Sequence, residues 1–271
     1  MEQTENGWIT GNEPEVVEKA GAFITDAAYS AVAAHGRFTM VLAGGTTPRG
    51  LYSLLARGIH ETRLSRLGCQ VPADALRSPA DPALVTLPWP QTLLFQGDER
   101  YVPPSHPDSN FSMARDSLIR QVCIPTGQVL SMPVESGNAA GDAARYEALL
   151  RSLFRKPETC SAEGLPVFDL VMLGLGEDGH TASLFPDDRD ALRESSRWVI
   201  AVDAPHANPP CTRLTMTLPL INSAENVMFL VPAKRYGLAR SIRDGLHPEL
   251  PAGMVRPRNG SLLWFVEDRP V

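Results

Sequence analysis

Lysine is scarce in this chain. Of 25 basic residues in 271, three are lysines (Lys19, Lys156 and Lys234) and the other 22 are arginines, so a lysine in a site stands out. Cysteine is equally sparse: Cys69, Cys123, Cys160 and Cys211 stand alone, none within ten residues of another. Without a CxxC pair a zinc ribbon or thioredoxin-type motif is excluded, and four thiols at this length do not make a disulfide scaffold. A GxSxG elbow, an HExxH helix and clustered His/Cys ligands are all missing, which disfavours a serine hydrolase and gives no metal site. No run approaches 18 consecutive apolar residues, so no membrane partner is expected. The acidic start, MEQTENGWITGNEPEVVEKAG, lacks the apolar core of a secretory signal, and a cytoplasmic protein is expected. A basic balance is lacking too: 31 acidic residues outweigh the 25 basic ones for a net charge of −6, which argues against a nucleic-acid partner. An anionic small ligand stays open, because the charge of a site can oppose that of the whole chain.

What is present reads as globular, with 43% hydrophobic and 21% charged residues. From Pro14, apolar residues recur at three- and four-residue steps (Val16, Val17, Ala20, Phe23, Ile24, Ala27, Ala31), and Gly36 closes a predicted helix. The run 38–43 fits a strand buried on both faces. Gly44-Gly45-Thr46 form a loop, after which Thr47 is placed to N-cap a helix with Pro48 at its first position. Residues 72–90 hold five prolines and read as a surface excursion. Strands are expected at 92–96, 168–173, 198–202, 214–217, 227–231 and 262–266. Helices are expected around 113–122 and over 142–154 and 235–243, with a polar loop through Asn110. Strands alternating with helices predict an α/β fold with a mostly parallel sheet and ligands at the strands' carboxyl ends. The alternation runs unbroken from Phe38 to Val266, so a single domain over 1–271 is expected.

Four segments carry chemistry. Gly174-Leu175-Gly176-Glu177-Asp178-Gly179 is a literal GxGxxG directly after a strand, which is a dinucleotide-binding pattern. Against that reading, Pro186 interrupts the helix the motif requires, and Glu177 and Asp178 would repel a pyrophosphate. The same stretch through GHTASLFP places His180 beyond a strand end, where an imidazole suits proton transfer near neutrality. Asp178 adjoins it. The segment GDERYVPPSHPDSN, 97–110, offers Asp98 and Glu99 to orient a base or a water and Arg100 to clasp a phosphate. In AGGTTPRGLY, 43–52, the backbone N–H groups of Gly45, Thr46 and Thr47 and the helix start at Pro48 make an anion-binding nest without the P-loop pattern. In RLTMTLPLINSAENVMFLVPAKRYGLAR, 213–240, Arg213 leads one strand and Lys234 follows another.

In this order the four segments resemble the 6-phosphogluconolactonases, and the match in outline spans nearly the whole chain. The resemblance implies the Rossmann-like sheet shared with glucosamine-6-phosphate deaminase and ribose-5-phosphate isomerase. It implies hydrolysis of 6-phospho-D-glucono-1,5-lactone in the oxidative pentose phosphate pathway, with no cofactor, by a monomer or small homo-oligomer. Deaminases have similar glycine, Asp-Glu and DGH segments; Arg100 and the SLFP after His180 favour the lactonase. The lysine after FLV sits further on in the family, so Lys234 is a shifted match and Arg235 an alternative. On this reading Gly44–Thr47 (44–47), Arg100 and Lys234 or Arg213 bind the phosphate and His180 activates water. Asp98 or Asp178 orients the imidazole, and backbone N–H groups near 176–179 hold the oxyanion. The alternatives are a sugar-phosphate deaminase or isomerase and a non-catalytic sugar-phosphate sensor.

Overall fold

The apolar runs become strands because each residue of them finds a buried neighbour on one face or the other. In the computed structural model, which describes residues 7–155 and 159–268, all five residues of Phe38–Leu42 are buried. In chain order the strands are β1 (Trp8–Gly11), β2 (Phe38–Leu42), β3 (Ile59–His60), β4 (Arg77–Ser78) and β5 (Asp81–Val85). They continue with β6 (Thr92–Gln96), β7 (Asp98–Arg100), β8 (Val129–Leu130), β9 (Leu170–Leu173) and β10 (Val199–Ala204). β11 (Cys211–Met216), β12 (Asn226–Val231) and β13 (Ser261–Glu267) complete the set. Residues 1–6 of the acidic N-terminal segment and Lys156 lie outside the described residues.

Seven strands form one parallel sheet in the order β1-β13-β12-β9-β2-β6-β8. Alternate residues feed two separate cores. Val41, Phe95, Val171, Phe229 and Trp264 face a core completed by the helix Ala139–Leu153 through Tyr146 and Leu150. Met40, Leu94, Met172, Met228 and Phe265 face the other, against the helices Glu13–His35 and Arg49–Arg57. Burying one such large apolar side chain contributes about 2 kcal/mol, so a two-sided sheet fixes strand register strongly. The fold is α/β with a mostly parallel sheet, as the alternation predicted, and Rossmann-like, as the resemblance implied.

The first helix opens on a capping box. Asn12 Oδ1 accepts the Glu15 N–H at 3.0 Å, Glu15 Oε2 accepts the Asn12 N–H at 3.1 Å, and Gly36 ends the helix in the left-handed region. No described helix is long and apolar enough to cross a membrane.

Four expectations need correction. β1 was not foreseen: four residues, WITG, pair in parallel with β13 at the sheet's edge. The proline-rich excursion is not merely a surface link, since β4 and β5 join β3 in a small antiparallel sheet over Ile59, Leu64 and Val85. Thr47 does not cap the next helix, which starts at Arg49 after a turn closed by the Arg49 N–H to Thr46 carbonyl bond, with no side-chain cap. The loop through Asn110 opens with β7, and β10 and β11 do not extend the parallel sheet. These three form an antiparallel flap, β10-β11-β7, at the carboxyl end of β6.

Candidate active site

Three consecutive parallel strands, β9, β2 and β6, release glycines at their carboxyl ends: Gly174, Gly44 and Gly97. The loops that follow enclose a cavity of about 170 Å³ lined by Gly44, Gly45, Thr47, Asp98, Arg100, Asn110, His180 and Arg213, among others. A second, wider cavity adjoins it, sharing Gly176 and His180 and adding Asp178, Asp203, His206 and Arg235. The imidazole of His180 therefore stands between the two.

His180 is fixed by its own loop. Its Nδ1 lies 2.5 Å from Asp178 Oδ1, and its backbone N–H donates to the same oxygen at 3.1 Å. An ionised carboxylate only accepts, so Nδ1 carries the proton and Nε2 keeps its lone pair free for chemistry. Burial raises the Asp178 carboxyl, but the bonds from His180 outweigh it and the net direction is down. Asp178 thus stays ionised to lower pH than an ordinary aspartate. Phe185 packs against the imidazole with ring centroids 4.7 Å apart. A Cβ on Gly176 would lie 2.1 Å from His180 Nδ1, so only glycine lets the ring occupy this place. Ala182, on the cavity wall, is held in the left-handed region at φ 48°, a strained conformation for an alanine.

The GxGxxG string starts no helix. The Gly176 N–H donates to the His180 carbonyl at 2.9 Å and the Gly179 N–H to the Gly176 carbonyl, folding the motif into a closed loop. Those two amides are occupied, which corrects their expected role as oxyanion donors and removes them from any pyrophosphate cradle.

The opposite wall is basic. Arg213 of β11 and Arg100 of β7 are directly opposed in the antiparallel ladder. Arg213 is only 4% exposed; its guanidinium donates to the Pro209 carbonyl at 3.1 Å and lies over Phe185, while Arg100 donates to the Asp108 carbonyl at 2.6 Å. The Nε of each is buried and has no partner. Burial lowers the Arg213 guanidinium below the usual arginine range; Asp98 opposes that shift and Arg100 adds to it. Two opposed guanidiniums with unused donors are expensive to bury without an anion, and a phosphate satisfies both.

The carboxylates divide the remaining work. Asp98 does not reach His180: its Oδ2 accepts from Ser183 Oγ at 2.7 Å and its Oδ1 from Asn110 Nδ2 at 3.2 Å. Glu99 is 1% exposed and accepts from Gln96, Ser109 and the backbone N–H groups of Arg100, Asn110 and Phe111. Burial pushes its carboxyl up, against those bonds. Glu99 holds the segment 97–111 in shape. Lys234 is exposed and Thr46 is exposed, and neither lines the cavity. Arg235 pairs with Glu177 beside the second cavity. Sequence reasoning assigned no role to Asn110 or Ser183, although both fall within the quoted segments. Their roles come from contacts across 65 and 85 residues of chain.

The match to known proteins is extensive. The family described as glucosamine-6-phosphate isomerases/6-phosphogluconolactonase matches residues 11–264. A 6-phosphogluconolactonase of Synechocystis is 36% identical over 261 residues, covering 95% of this chain and 93% of its own. The human 6-phosphogluconolactonase is 37% identical over 242 residues, 87% of this chain and 80% of its own. A solved structure of 6-phosphogluconolactonase from Thermotoga maritima superposes with a TM-score of 0.74 at 25% identity, covering 97% of this chain and 100% of the other. Strand order, the four segments and these similarities agree: the chain belongs to the glucosamine-6-phosphate isomerase/6-phosphogluconolactonase family.

Proposed function

We propose that this protein hydrolyses 6-phospho-D-glucono-1,5-lactone to 6-phosphogluconate, the lactonase step of the oxidative pentose phosphate pathway. One observation carries the reading: an imidazole with its Nδ1 tied to a carboxylate faces the same cavity as two arginines with unused buried donors. The first arrangement activates water and the second holds a phosphate. The relatives at 36–37% identity are 6-phosphogluconolactonases, which favours the lactonase over the isomerase side of the family.

The phosphate seats against Arg100 and Arg213, beside the loop of Gly44, Gly45, Thr46 and Thr47, and its anchoring turns the reaction into a positioned, effectively unimolecular event. His180 Nε2 takes a proton from water as the water oxygen bonds to C1. The tetrahedral oxyanion then collapses, the bond from C1 to the ring oxygen breaks, and the imidazolium returns its proton to the departing oxygen. Asp178 holds Nδ1–H throughout and stabilises the imidazolium. Asp98, tied to Ser183 and Asn110, shapes the wall between anion site and base and is not the orienting carboxylate. Arg100 and Arg213 supply the phosphate contacts without Lys234. The cavity takes its walls from segments scattered between Leu42 and Arg213, which supports residues 1–271 acting as one unit.

A coupled assay in which glucose-6-phosphate oxidation generates the lactone, with 6-phosphogluconate formation as readout, tests this. Wild-type protein accelerates hydrolysis over the spontaneous rate, and His180→Ala lowers kcat roughly 10³-fold with Tm unchanged. Full turnover by His180→Ala would sink the mechanism. Ammonia release from glucosamine 6-phosphate would instead assign the isomerase side of the family.

A further inference from the structure

Asn110 stands where three walls of the cavity meet, and its side-chain amide is fully used. Its Oδ1 accepts the Gly45 N–H at 3.2 Å. Its Nδ2 donates to the Asp98 carbonyl at 3.1 Å and to Asp98 Oδ1 at 3.2 Å. Its own backbone N–H is anchored on Glu99 Oε1 at 2.7 Å, and Ser109, the residue before it, caps the helix Asn110–Ser117. One residue thus welds the glycine loop after β2 to the strand carrying Asp98 and Arg100. The contact is close: a Cβ on Gly44 would lie 2.2 Å from both Cγ and Nδ2 of Asn110. Gly44 has no left-handed φ to explain its identity, so the Asn110 amide is what excludes a side chain there.

We infer that Asn110 is a positioning residue for the substrate's phosphate. It sets the distance between the Gly44–Gly45 loop and the Arg100–Arg213 pair, and Gly44 is glycine so that this amide can lie against it. The inference rests on the reading of the cavity as a phosphorylated-lactone site. Asn110 is also a neutral donor to Asp98 on the cavity wall. An aspartate of the same shape would lose both bonds to Asp98 and add a negative charge to a site built for phosphate.

The test is a double-mutant cycle read in KM and kcat separately, with inhibition by inorganic phosphate as a chemistry-free readout. Asn110→Ala raises KM and the phosphate inhibition constant roughly tenfold while kcat changes less than about threefold. Asn110→Asp raises both further. Gly44→Ala alone matches Asn110→Ala, because the new methyl displaces the amide. The double variant Gly44→Ala/Asn110→Ala is no worse than Asn110→Ala alone. Equal falls in kcat and kcat/KM at unchanged KM, or additive losses in the double variant, would overturn the inference. Thermal melts of all four proteins separate it from misfolding: a purely structural role predicts that loss of activity tracks Tm and that the phosphate inhibition constant of the folded fraction stays at the wild-type value. A wild-type protein with no lactonase activity would count against the proposed function, whereas an active wild type with an indifferent Asn110→Asp would count against this inference alone.

Discussion

The two ends of the parallel sheet bury polar groups in opposite ways. At the amino ends of β2, β9 and β12, Asp169 accepts from the Thr39 N–H at 2.7 Å, Thr39 Oγ1 at 2.6 Å and His35 Nε2 at 2.8 Å. The Asp169 N–H donates to Thr39 Oγ1, and the Asn226 amide reaches the Asp169 carbonyl. That cluster closes on itself. At the carboxyl ends, Arg100 and Arg213 are left with buried, unpartnered Nε groups beside a cavity. A satisfied network stabilises the fold, whereas buried cationic groups with unused donors cost stability and suit an anionic ligand. The difference also explains how a chain of net charge −6 has a basic site: the acidic excess lies elsewhere, and the cavity gathers arginines.

The largest effect that would break this comparison comes from Arg213. Arg213→Met raises KM about 100-fold for the phosphorylated lactone, yet leaves Tm unchanged or higher, because a buried cation with an idle donor is removed. Steady-state kinetics and thermal melts check both halves, and a large loss of Tm with unchanged KM would reverse the assignment. At the other end, Asp169→Ala leaves the Thr39 N–H buried and unpaired and costs about 3 kcal/mol of stability in denaturant unfolding, with kcat/KM intact in the folded protein. The smallest effect concerns Glu194, which accepts the Ser196 and Arg197 N–H groups and the Arg197 guanidinium. Those bonds lower its carboxyl to about 2. A depressed folded-state value means the contribution is fully present above the ordinary glutamate range and is lost as pH falls toward 2. Glu194→Gln should therefore be less stable than wild type at pH 6, and the gap in Tm should close as the pH falls through 4 toward 2.5. A gap that widens on acidification contradicts the sign.

Much of this is legible in the amino-acid sequence. Apolar runs such as FTMVL and NVMFLV fit strands buried on both faces, and they are such strands, and the glycines after 42 and 173 marked the strand ends. Asp178 was readable as a neighbour of His180 because a single residue, Gly179, separates them. Elements whose existence depends on a distant partner were not readable. β7 is three charged residues, Asp98-Glu99-Arg100, and is a strand only because β11 pairs with it more than a hundred residues later. β5 carries Pro82 outside its paired positions, so the prolines that signalled a loop are compatible with a short sheet. Asp98 and Asp178 were equivalent candidates in the sequence, and only the bond lengths separate the residue that orients the imidazole from the one that braces the wall. Thr47 fitted an N-cap pattern, but the turn of Thr46 through Pro48 takes that role in the backbone alone.

The most direct test of the central claim compares the phosphorylated lactone with unphosphorylated glucono-1,5-lactone on the wild-type protein. If Arg100 and Arg213, each with an unpartnered Nε, hold the phosphate, kcat/KM is at least about 10³-fold higher for the phosphorylated substrate, with inorganic phosphate inhibiting competitively. Equal turnover of the two lactones, with phosphate without effect, would contradict it.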